Sequence, residues 1–386
     1  MKLRNYYPYF EDFHEDIKSL AKNVSQELEK RAREADEKGS EEIMRENLKM
    51  LAEHGFLGIN VPEQYGGQGL DERSVVLSLE EIARGCAATA FSLGGHYLAV
   101  GSILIGGDEA LKQKFLPRLV KDSIGAFALT EPNAGSDAAS IVTRAEKKNG
   151  YYVLRGEKHF ITNGSIADVF VVFAKTSPEK GARGITAFVV ERGIPGLLIG
   201  KKEEKLGVRA SPTNQVFLDD VEVPAENIIG KVDEGFKIAM QALTRGRIGM
   251  AAQAIGISRL ALQLAINYAE NRVQFGQPII NQQAIQFMLS DMFIMLRASE
   301  ELTYKAAWLA DRKADVTLEA AVAKLYATEA AKLIVDKSLQ IHGGIGYTRD
   351  QVIERLYRDV RILTIAEGTS EIQRLVIFRN IKRPLD

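Results

Sequence analysis

A glutamate just before a helix is the residue of this sequence best placed for acid–base chemistry. Glu367 follows the apolar run ILTIA and precedes Gly368, and Ser370 and Gln373 are spaced as a capping box that opens the helix EIQRLVIFRNI. A helix N-terminus favours the charged carboxylate, whereas an apolar pocket disfavours it. A general base needs that compromise. The pattern is also typical of a solvent-exposed acid in a first helical turn, so it does not identify a base by itself.

Two further segments carry polar groups in an order suited to a flat ligand. In ALTEPNAGSDAAS, at 128–140, a strand is predicted to run into a loop rich in hydroxyls and free backbone N–H groups. In GEKHFITNG, at 156–164, Phe160 and Thr162 stand two apart, and strand alternation predicts both side chains on one face. A ring could then pack on a planar cofactor while a hydroxyl bonds its edge. Singly, an ordinary turn and an ordinary strand explain the two segments as well.

Other kinds of site find no support in the sequence. The five His residues are scattered without HExxH spacing and there is one cysteine, so no metal site is predicted. No GxSxG or GxxxxGK[ST] segment occurs. The glycines from Gly343 to Gly346 follow a helix, which is typical of a helix end rather than of a dinucleotide fold. Cys86 lies among small apolar residues and is interpreted as a buried small hydrophobe.

Composition indicates a soluble protein of more than one domain. The 386 residues are 46% hydrophobic and 26% charged, and the net charge is −1. A charge this close to zero argues against nucleic acid as the main ligand. The acid-rich N-terminus lacks the apolar segment of a signal peptide, and we expect no apolar run near the roughly 18 residues that span a bilayer. With its single cysteine, the protein is expected in the cytoplasm, without membrane contact.

The periodicity of the sequence changes twice. Helical patterns occupy 1–120, short β-branched runs occupy 121–230, and long apolar-striped helices occupy 231–386. Asn149-Gly150 is a strong hairpin signal in the middle part. We therefore predict three domains of an α+β protein: all-α, then a β-barrel or sandwich, then a helical bundle. The residues predicted to begin helices as N-caps are Ser40, Asp71 and Asp108.

Taken together, these segments resemble the acyl-CoA dehydrogenase family. ALTEPNAGSD, KHFITNG, YAENRVQFGQPI, QIHGGIGYTRD and AEGTSEIQR occur in the family's order and spacing, over essentially the whole chain. The resemblance implies an N-terminal helical domain, a middle β-domain and a C-terminal four-helix bundle. It also implies FAD as the cofactor and Glu367 as the catalytic base. In some relatives the base lies on an earlier helix, at the position of Gly246 here. Because glycine has no side chain that could accept a proton, Glu367 is the only candidate of the two positions.

The resemblance further assigns residues that bind FAD. One group lies in the loop at 127–136 and in the later strand, with Thr162 near flavin N5 and Phe160 where many members have Trp. A second group would reach FAD from a neighbouring subunit, which implies a homo-oligomer, either a dimer or a tetramer built as a dimer of dimers. The first group is Phe127, Leu129, Thr130, Ser136, Phe160 and Thr162; the second is Arg272, Phe275, Gln340 and Gly344, with Thr369 and Glu371 near the adenosine end.

The implied reaction is α,β-dehydrogenation of an acyl-CoA to the trans-2-enoyl-CoA, as in fatty acid β-oxidation. Glu367 would take the α-proton while the β-hydride leaves to flavin N5, with the Glu367 N–H and a ribityl hydroxyl holding the thioester oxygen. Electrons would pass to electron-transferring flavoprotein. The residues implied in substrate binding are Ser136, Arg247, Ala366 and Gly368.

The identity of the acyl group stays open. Ala366 stands where many members have Tyr, so either the cavity admits a wider, branched or cyclic substrate, or bulk from Phe91 or Phe160 fills the gap. We favour a short-chain or branched acyl group. The residues that match the helix at the bottom of the cavity are Thr89, Ala90 and Leu93.

Two alternative functions follow from the same residues. An acyl-CoA oxidase-like enzyme would hand its electrons to oxygen, but typical oxidases are longer and carry an additional C-terminal helical domain. A non-catalytic flavin- or CoA-binding scaffold would also keep the fold. The presence of Glu367, Thr162, Ser136 and Arg247 together argues against the scaffold.

Overall fold

A computed structural model describes residues 3–381, so the outermost residues of the first and last predicted domains lie outside it. The N-terminal part is helical. Its N-cap predictions are confirmed, because the side chains of Ser40, Asp71 and Asp108 accept hydrogen bonds from the third N–H that follows, at 3.2, 2.9 and 2.8 Å. The helices are α1 (Asp12–Lys38), α2 (Glu41–Glu53), α3 (Glu72–Gly85), α4 (Ala87–Gly106) and α5 (Glu109–Lys121).

The middle part is a single mixed sheet. Its strands run in the order β6-β7-β3-β2-β4-β5-β8, and β1 pairs in parallel with β4. The hairpin prediction is confirmed: Asn149 and Gly150 join two antiparallel strands, with Gly150 at φ +84°. The strands are β1 (Gly125–Ala128), β2 (Arg144–Lys147), β3 (Tyr151–Thr162), β4 (Val169–Lys175), β5 (Ile185–Glu191), β6 (Leu197–Lys202), β7 (Thr213–Pro224) and β8 (Ile228–Ile229).

The C-terminal part is a bundle in which α6, α7, α8 and α10 pack together. This confirms the predicted order of helical, β and helical domains, while the boundaries at 120/121 and 230/231 stay a prediction. The remaining elements are α6 (Gly235–Asn271), the short strands β9 (Val273–Gln274) and β10 (Gln277–Pro278), α7 (Gln283–Asp311), α8 (Thr317–His342), α9 (Val352–Asp359) and α10 (Ser370–Ile381).

Helix α4 joins the three parts. Its small residues allow close contact with the sheet, where a Cβ on Gly125 of β1 would come 2.7 Å from Ala99. His96 of α4 accepts a hydrogen bond from the Gly125 N–H at 3.0 Å and donates to Leu57 O at 3.1 Å. On its other side α4 packs against α6. The helix therefore lies between the sheet and the bundle.

The expectation that no apolar run reaches membrane-spanning length was wrong. Ala87–Gly106 and Gly235–Asn271 each contain a window that is long and apolar enough, with mean hydropathies of 1.4 and 1.3. These windows are 61% and 83% buried within the protein, as in core helices of soluble proteins. Ala87–Gly106 contains no Asp, Glu, Lys or Arg, and its many Ala, Gly and Ser residues permit close helix packing.

Candidate active site

The loop that carries Glu367 has an uncommon backbone conformation. A 3-10 helix ends at Thr364 and α10 begins at Ser370, and between them Glu367 has φ +56° and Gly368 has φ +95°. Glycine adopts such angles freely, but for a residue with a Cβ they cost about 1–2 kcal/mol. Strain of this kind persists where surrounding contacts fix it, and it concentrates at functional positions.

Two buried side chains fix this loop. Gln373 Nε2 donates to Gly368 O at 2.9 Å and to Glu367 O at 3.3 Å. Lys324 Nζ, from α8, donates to Gly368 O at 2.7 Å. The Glu367 N–H, by contrast, finds no acceptor anywhere in residues 3–381. The carbonyl groups of Glu367 and Gly368 are thus hydrogen-bonded, whereas the Glu367 N–H beside the carboxylate remains available to a ligand.

The predicted capping box is wrong in its register. Thr369, rather than Ser370, acts as the cap, since its Oγ1 accepts from Ile372 N at 3.3 Å and its carbonyl accepts from Gln373 N at 2.9 Å. Ser370 Oγ instead donates to Glu329 of α8 at 2.5 Å. The spacing pattern fits both registers, and Gly368 takes the left-handed turn that moves the cap one residue earlier.

The Glu367 carboxylate faces α6, and its Oε2 has no hydrogen-bond partner among residues 3–381. A Cβ on Gly246 would come 2.9 Å from Glu367 Cδ and nearer still to Oε2, which is buried and unpartnered. Although other atoms of the residue are accessible, burial of the carboxylate raises the pKa of Glu367 to about 7. The positive charges of Lys324 and Arg247 oppose this rise. Arg247 is itself buried, and its Nε has no partner within residues 3–381.

The predicted flavin loop is fastened to β3 by a buried ion pair. Lys158 Nζ lies 2.7 Å from Glu131 Oε1 and also donates to Leu129 O at 3.2 Å. Glu131 accepts in addition from the backbone N–H groups of Val142 and Thr143, at 2.6 and 3.0 Å. Burial lowers the pKa of Lys158 to about 8, although Glu131 opposes the shift. The ion pair therefore holds the loop at Leu129, through Lys158, and at Val142 and Thr143, through Glu131.

The strand that carries Phe160 and Thr162 is irregular at this point. The pairing of β3 with β7 shifts register between Lys158 and Ile161, and Phe160 has φ +56°. The bulge leaves Phe160 60% exposed, whereas Thr162 packs near α4, 2.9 Å from a Cβ placed on Gly95. A simple period of two cannot foresee a bulge, so the relative direction of these side chains does not follow from their spacing.

The residues of this group fit a cofactor with a flat ring and polar edge. The hydroxyls of Thr130, Ser136 and Thr162 find no partner within the described part of the chain. Ser136 is exposed and Phe160 offers a bare aromatic face, while Phe127 is half-buried with its ring 4.9 Å from that of Phe173. Free donors and a bare ring are what an isoalloxazine group requires.

The remaining predicted cofactor residues form a second, distant group. Arg272 ends α6, 26 residues beyond Gly246 and so about 39 Å along the helix axis. Tyr268 of α6 stacks on His342 of α8 at 4.5 Å, which brings the helix ends that carry Arg272, Phe275, Gln340 and Gly344 together. All four are exposed, Phe275 by 95% with φ +51°. Thr369 and Glu371 lie beside Glu367 instead.

The interface of α4 and α6 continues inward from Glu367. Leu98 lies 2.8 Å from a Cβ placed on Gly246, and one turn earlier on α4 a Cβ on Gly94 would come 3.1 Å from Gln253 Nε2. Gly246 and Gln253 are about 10 Å apart along α6. Gln253 is buried, and its one hydrogen bond within residues 3–381 goes to a methionine sulfur at 3.9 Å. A weakly bonded amide thus lies two helical turns below the carboxylate.

The predicted cavity residues of α4 lie along this region. Ala90 and Leu93 are fully buried, and the Thr89 hydroxyl accepts from Asn47 Nδ2 at 2.9 Å, so it is already occupied. Ala366 and Phe91 are half-buried beside the main core. Cys86 is buried, and burial raises the pKa of its thiol, as expected for a packing residue.

Sequence reasoning missed three polar residues that shape the site, Lys324, Lys158 and Gln253. It named Gln373, but as part of a capping box rather than as a donor to the Glu367 loop. Lys324 and Gln253 lie within long apolar helical stretches, where a single polar residue reads as solvent-facing. A signal did exist, since a Lys or Gln at a core-facing helical position is rare without a partner.

Comparison with known proteins agrees along the whole chain. Domain models of acyl-CoA dehydrogenase match at 11–123 (N-terminal domain), 126–221 (middle domain) and 233–382 (C-terminal domain). An acyl-CoA dehydrogenase of Bacillus subtilis (strain 168) is 49% identical over 335 residues, 86% of this chain and 88% of the relative. Butyryl-CoA dehydrogenase from Megasphaera elsdenii has a TM-score of 0.93 and 42% identity, over 97% of this chain and 99% of that one.

A second solved structure, described as the electron transferring flavoprotein of Acidaminococcus fermentans, contains a chain with a TM-score of 0.95 and 40% identity, over 97% of this chain and 99% of that one. The matches and the helical, β and helical order agree in every part of the fold. The chain therefore belongs to the acyl-CoA dehydrogenase family, a family of FAD-dependent oxidoreductases.

Proposed function

We propose that this enzyme removes the α-proton of an acyl-CoA thioester with Glu367 and dehydrogenates the substrate to the trans-2-enoyl-CoA. The observation that carries this proposal is the Glu367 carboxylate itself. Its Oε2 is buried and unpartnered, and its backbone is held in a left-handed conformation by Gln373 and Lys324. An acid fixed so closely and given no hydrogen bond is free to accept a proton from a ligand.

The protonation state of Glu367 suits this role. A general base works best when its pKa lies near the operating pH. Burial raises the pKa of the Glu367 carboxyl to about 7, and the nearby positive charges of Lys324 and Arg247 oppose this rise. A substantial fraction of the enzyme thus carries the ionised base near neutral pH.

The Glu367 N–H supports stabilisation of the enolate-like charge. It has no acceptor among residues 3–381 and lies in the same residue as the base. A donor aimed at the thioester oxygen would strengthen as negative charge develops there. One such donor typically contributes about 3 kcal/mol to transition-state stabilisation.

FAD, when bound, supplies the acceptor for the hydride that leaves the β-carbon. We propose that Phe127, Leu129, Thr130, Ser136, Phe160 and Thr162 hold it on the sheet side. Arg272 lies about 39 Å from Gly246 along α6, and Phe275, Gln340 and Gly344 lie at the same helix ends. All four residues are exposed, so they fit the FAD of a second copy rather than their own. Thr369 and Glu371 would lie at the adenosine end. This arrangement supports a homo-oligomer, and we propose a tetramer.

The acyl group is proposed to enter the interface of α4 and α6. The distance from Gly246 to Gln253 is about 10 Å, and part of that length is filled by the Gln253 side chain. A short-chain acyl group fits such a depth, and Ala366 leaves room for a branch or ring. The resemblance to butyryl-CoA dehydrogenase supports this choice. Ser136, Arg247 and Gly368 are proposed to bind the CoA arm and the thioester.

Electron-transferring flavoprotein is the proposed electron acceptor. The support is the similarity to the chain solved for the Acidaminococcus fermentans flavoprotein. We further propose that the enzyme acts in the cytoplasm, in β-oxidation or a related pathway of fatty acid metabolism.

The test is an anaerobic titration of the FAD-loaded enzyme with straight, branched and cyclic acyl-CoAs. Bleaching of the flavin spectrum by one class would establish the reaction and its substrate. Glu367→Gln should keep FAD but lose nearly all of the bleaching, since the amide cannot accept the proton. Retained bleaching would place the base elsewhere, and rapid peroxide formation without an added acceptor would favour an oxidase.

A further inference from the structure

Lys324 is a buried cation that takes no direct part in the proposed proton and hydride transfers. Its side chain is 0% exposed, in the middle of α8. The one hydrogen bond of its ammonium group within residues 3–381 goes to Gly368 O, at 2.7 Å, and no ion pair in that part of the chain includes it. Burying an ammonium group without a contacting carboxylate costs several kcal/mol. A neutral side chain would hold a carbonyl at less cost.

The charges around Lys324 identify the group it serves. Two carboxylates besides Glu367 act on it, Glu329 and Glu371. Glu329 is already bonded to Ser370 and to Lys332, at 2.5 and 2.9 Å. Glu371 is exposed to solvent, which weakens its attraction for the ammonium group. The carboxylate of Glu367 is the one that lacks a partner of its own.

Arg247 completes the set of charges. It faces the same carboxylate from α6, and its charge repels that of Lys324. Burial lowers the pKa of Lys324 to about 8, although Glu367 opposes the shift. The pKa of Lys324 thus lies above that of Glu367, so most Lys324 side chains are still charged at pH 7.

We propose that Lys324 is a positioning residue of the dehydrogenation: it holds the Gly368 carbonyl so that Glu367 keeps its left-handed backbone, and its charge keeps the base ionised in a buried site. This inference rests on the proposed role of Glu367. It explains why a charged lysine stands at this position, although a neutral hydrogen-bond donor would suffice to hold the Gly368 carbonyl.

Gln373 offers a natural control for the two parts of this role. It donates to the same Gly368 carbonyl, at 2.9 Å, and is just as buried, but it carries no charge. Removing Gln373 weakens the hold on the loop and leaves the electrostatic field on Glu367 unchanged. Replacing Lys324 by Gln keeps a donor and removes the charge.

The experiment measures the rate of flavin bleaching by butyryl-CoA against pH, without oxygen, in FAD-loaded wild type, Lys324→Gln, Lys324→Met and Gln373→Leu. FAD content and the thermal midpoint check that each variant is folded. In both Lys324 variants we expect the apparent pKa of bleaching to rise by about one unit, which lowers the rate about tenfold on the acidic side and restores much of it in alkali. Gln373→Leu should lower the rate by the same factor at every pH, without a change in the apparent pKa.

The outcomes separate the two proposals. A Lys324→Gln or Lys324→Met enzyme that binds FAD and follows the wild-type pH profile overturns the role of Lys324. A Gln373→Leu enzyme whose profile shifts as far as those of the Lys324 variants overturns it as well, because charge would then not be the cause. A wild type that no acyl-CoA bleaches counts against the proposed function instead.

Discussion

Gly246 of α6 and Glu367 of the loop before α10 share a space that admits only one side chain. A Cβ on Gly246 would lie 2.9 Å from Glu367 Cδ and nearer still to Oε2, with Leu98 Cδ2 2.8 Å away on another side. The Glu367 carboxylate therefore packs directly against Gly246. In relatives whose base stands at the position of Gly246, the same space would hold that base, so the two placements exclude each other.

Gly246→Ala tests this relationship. The added methyl group must displace the Glu367 carboxylate, and misplacing a reacting group by about 1 Å typically costs about a hundredfold in rate. We expect flavin bleaching by acyl-CoA to slow by about that factor, with FAD content unchanged. Stopped-flow absorbance of the FAD-loaded variant measures it.

Gly101→Ala is the matched control. Gly101 lies in α4, and a Cβ there meets no atom within 4 Å. Alanine is the better helix former by about 1 kcal/mol, so this variant should be as active as the wild type and no less stable. If Gly246→Ala bleached as fast as Gly101→Ala, the carboxylate would not rest against α6 during turnover.

The pH dependence of the wild type follows from the Glu367 environment. Burial raises the pKa of this base to about 7, and only the deprotonated form accepts a proton. We therefore expect kcat/KM to increase as pH rises through about 7 and to level off above it. Steady-state assays with an artificial electron acceptor measure the profile. If kcat/KM were already constant at weakly acidic pH, where an ordinary carboxylate is ionised, burial would not have raised the pKa of Glu367 in the free enzyme.

Local signals in the sequence sufficed for the architecture but not for the backbone geometry of the site. Ser40, Asp71 and Asp108 cap helices as their spacing predicts, because an N-cap involves only the next three residues. The backbones of Glu367 and Phe160 depart from any local pattern. Their angles are imposed by groups distant in sequence, Lys324 in the one case and the register shift against β7 in the other, which one segment cannot reveal.

Gln253 provides a prediction about the acyl group. Its amide lies about two turns below the Glu367 carboxylate, beside Gly94, and is bonded only to a methionine sulfur in the described residues. Gln253→Ala should lengthen the space between α4 and α6. We expect kcat/KM for an acyl chain two carbons longer to rise about tenfold relative to butyryl-CoA, since each buried methylene contributes about 0.8 kcal/mol.

Gln263→Ala on the same helix is the control for this change. Gln263 is exposed and bonds Asn267 at 2.8 Å, far from the acyl region. Its replacement should leave the chain-length preference unaltered. Equal preferences in both variants would mean that the acyl chain does not reach Gln253.

The ion pair of Lys158 and Glu131 predicts how the flavin loop is held. Both side chains are buried, and Lys158→Met leaves the Glu131 carboxylate without its cation. Breaking a buried pair in this way typically costs about 3–5 kcal/mol. We expect a lower urea midpoint and weaker FAD binding, because Glu131 also holds the backbone of Val142 and Thr143 at the end of the loop.

The double variant Lys158→Met/Glu131→Gln shows how much of the lost stability comes from the missing Lys158–Glu131 attraction and how much from leaving the buried Glu131 carboxylate unpaired. With no carboxylate left unpaired, it should recover part of the stability that Lys158→Met loses, which a double-mutant cycle on the urea midpoints measures. The exposed pair of Lys30 and Glu27, at 2.6 Å, provides the comparison, and Lys30→Met should cost less than about 1 kcal/mol. Additive losses in the buried pair would contradict the prediction, since they would mean that Glu131 is stabilised by its two backbone donors and gains nothing from Lys158.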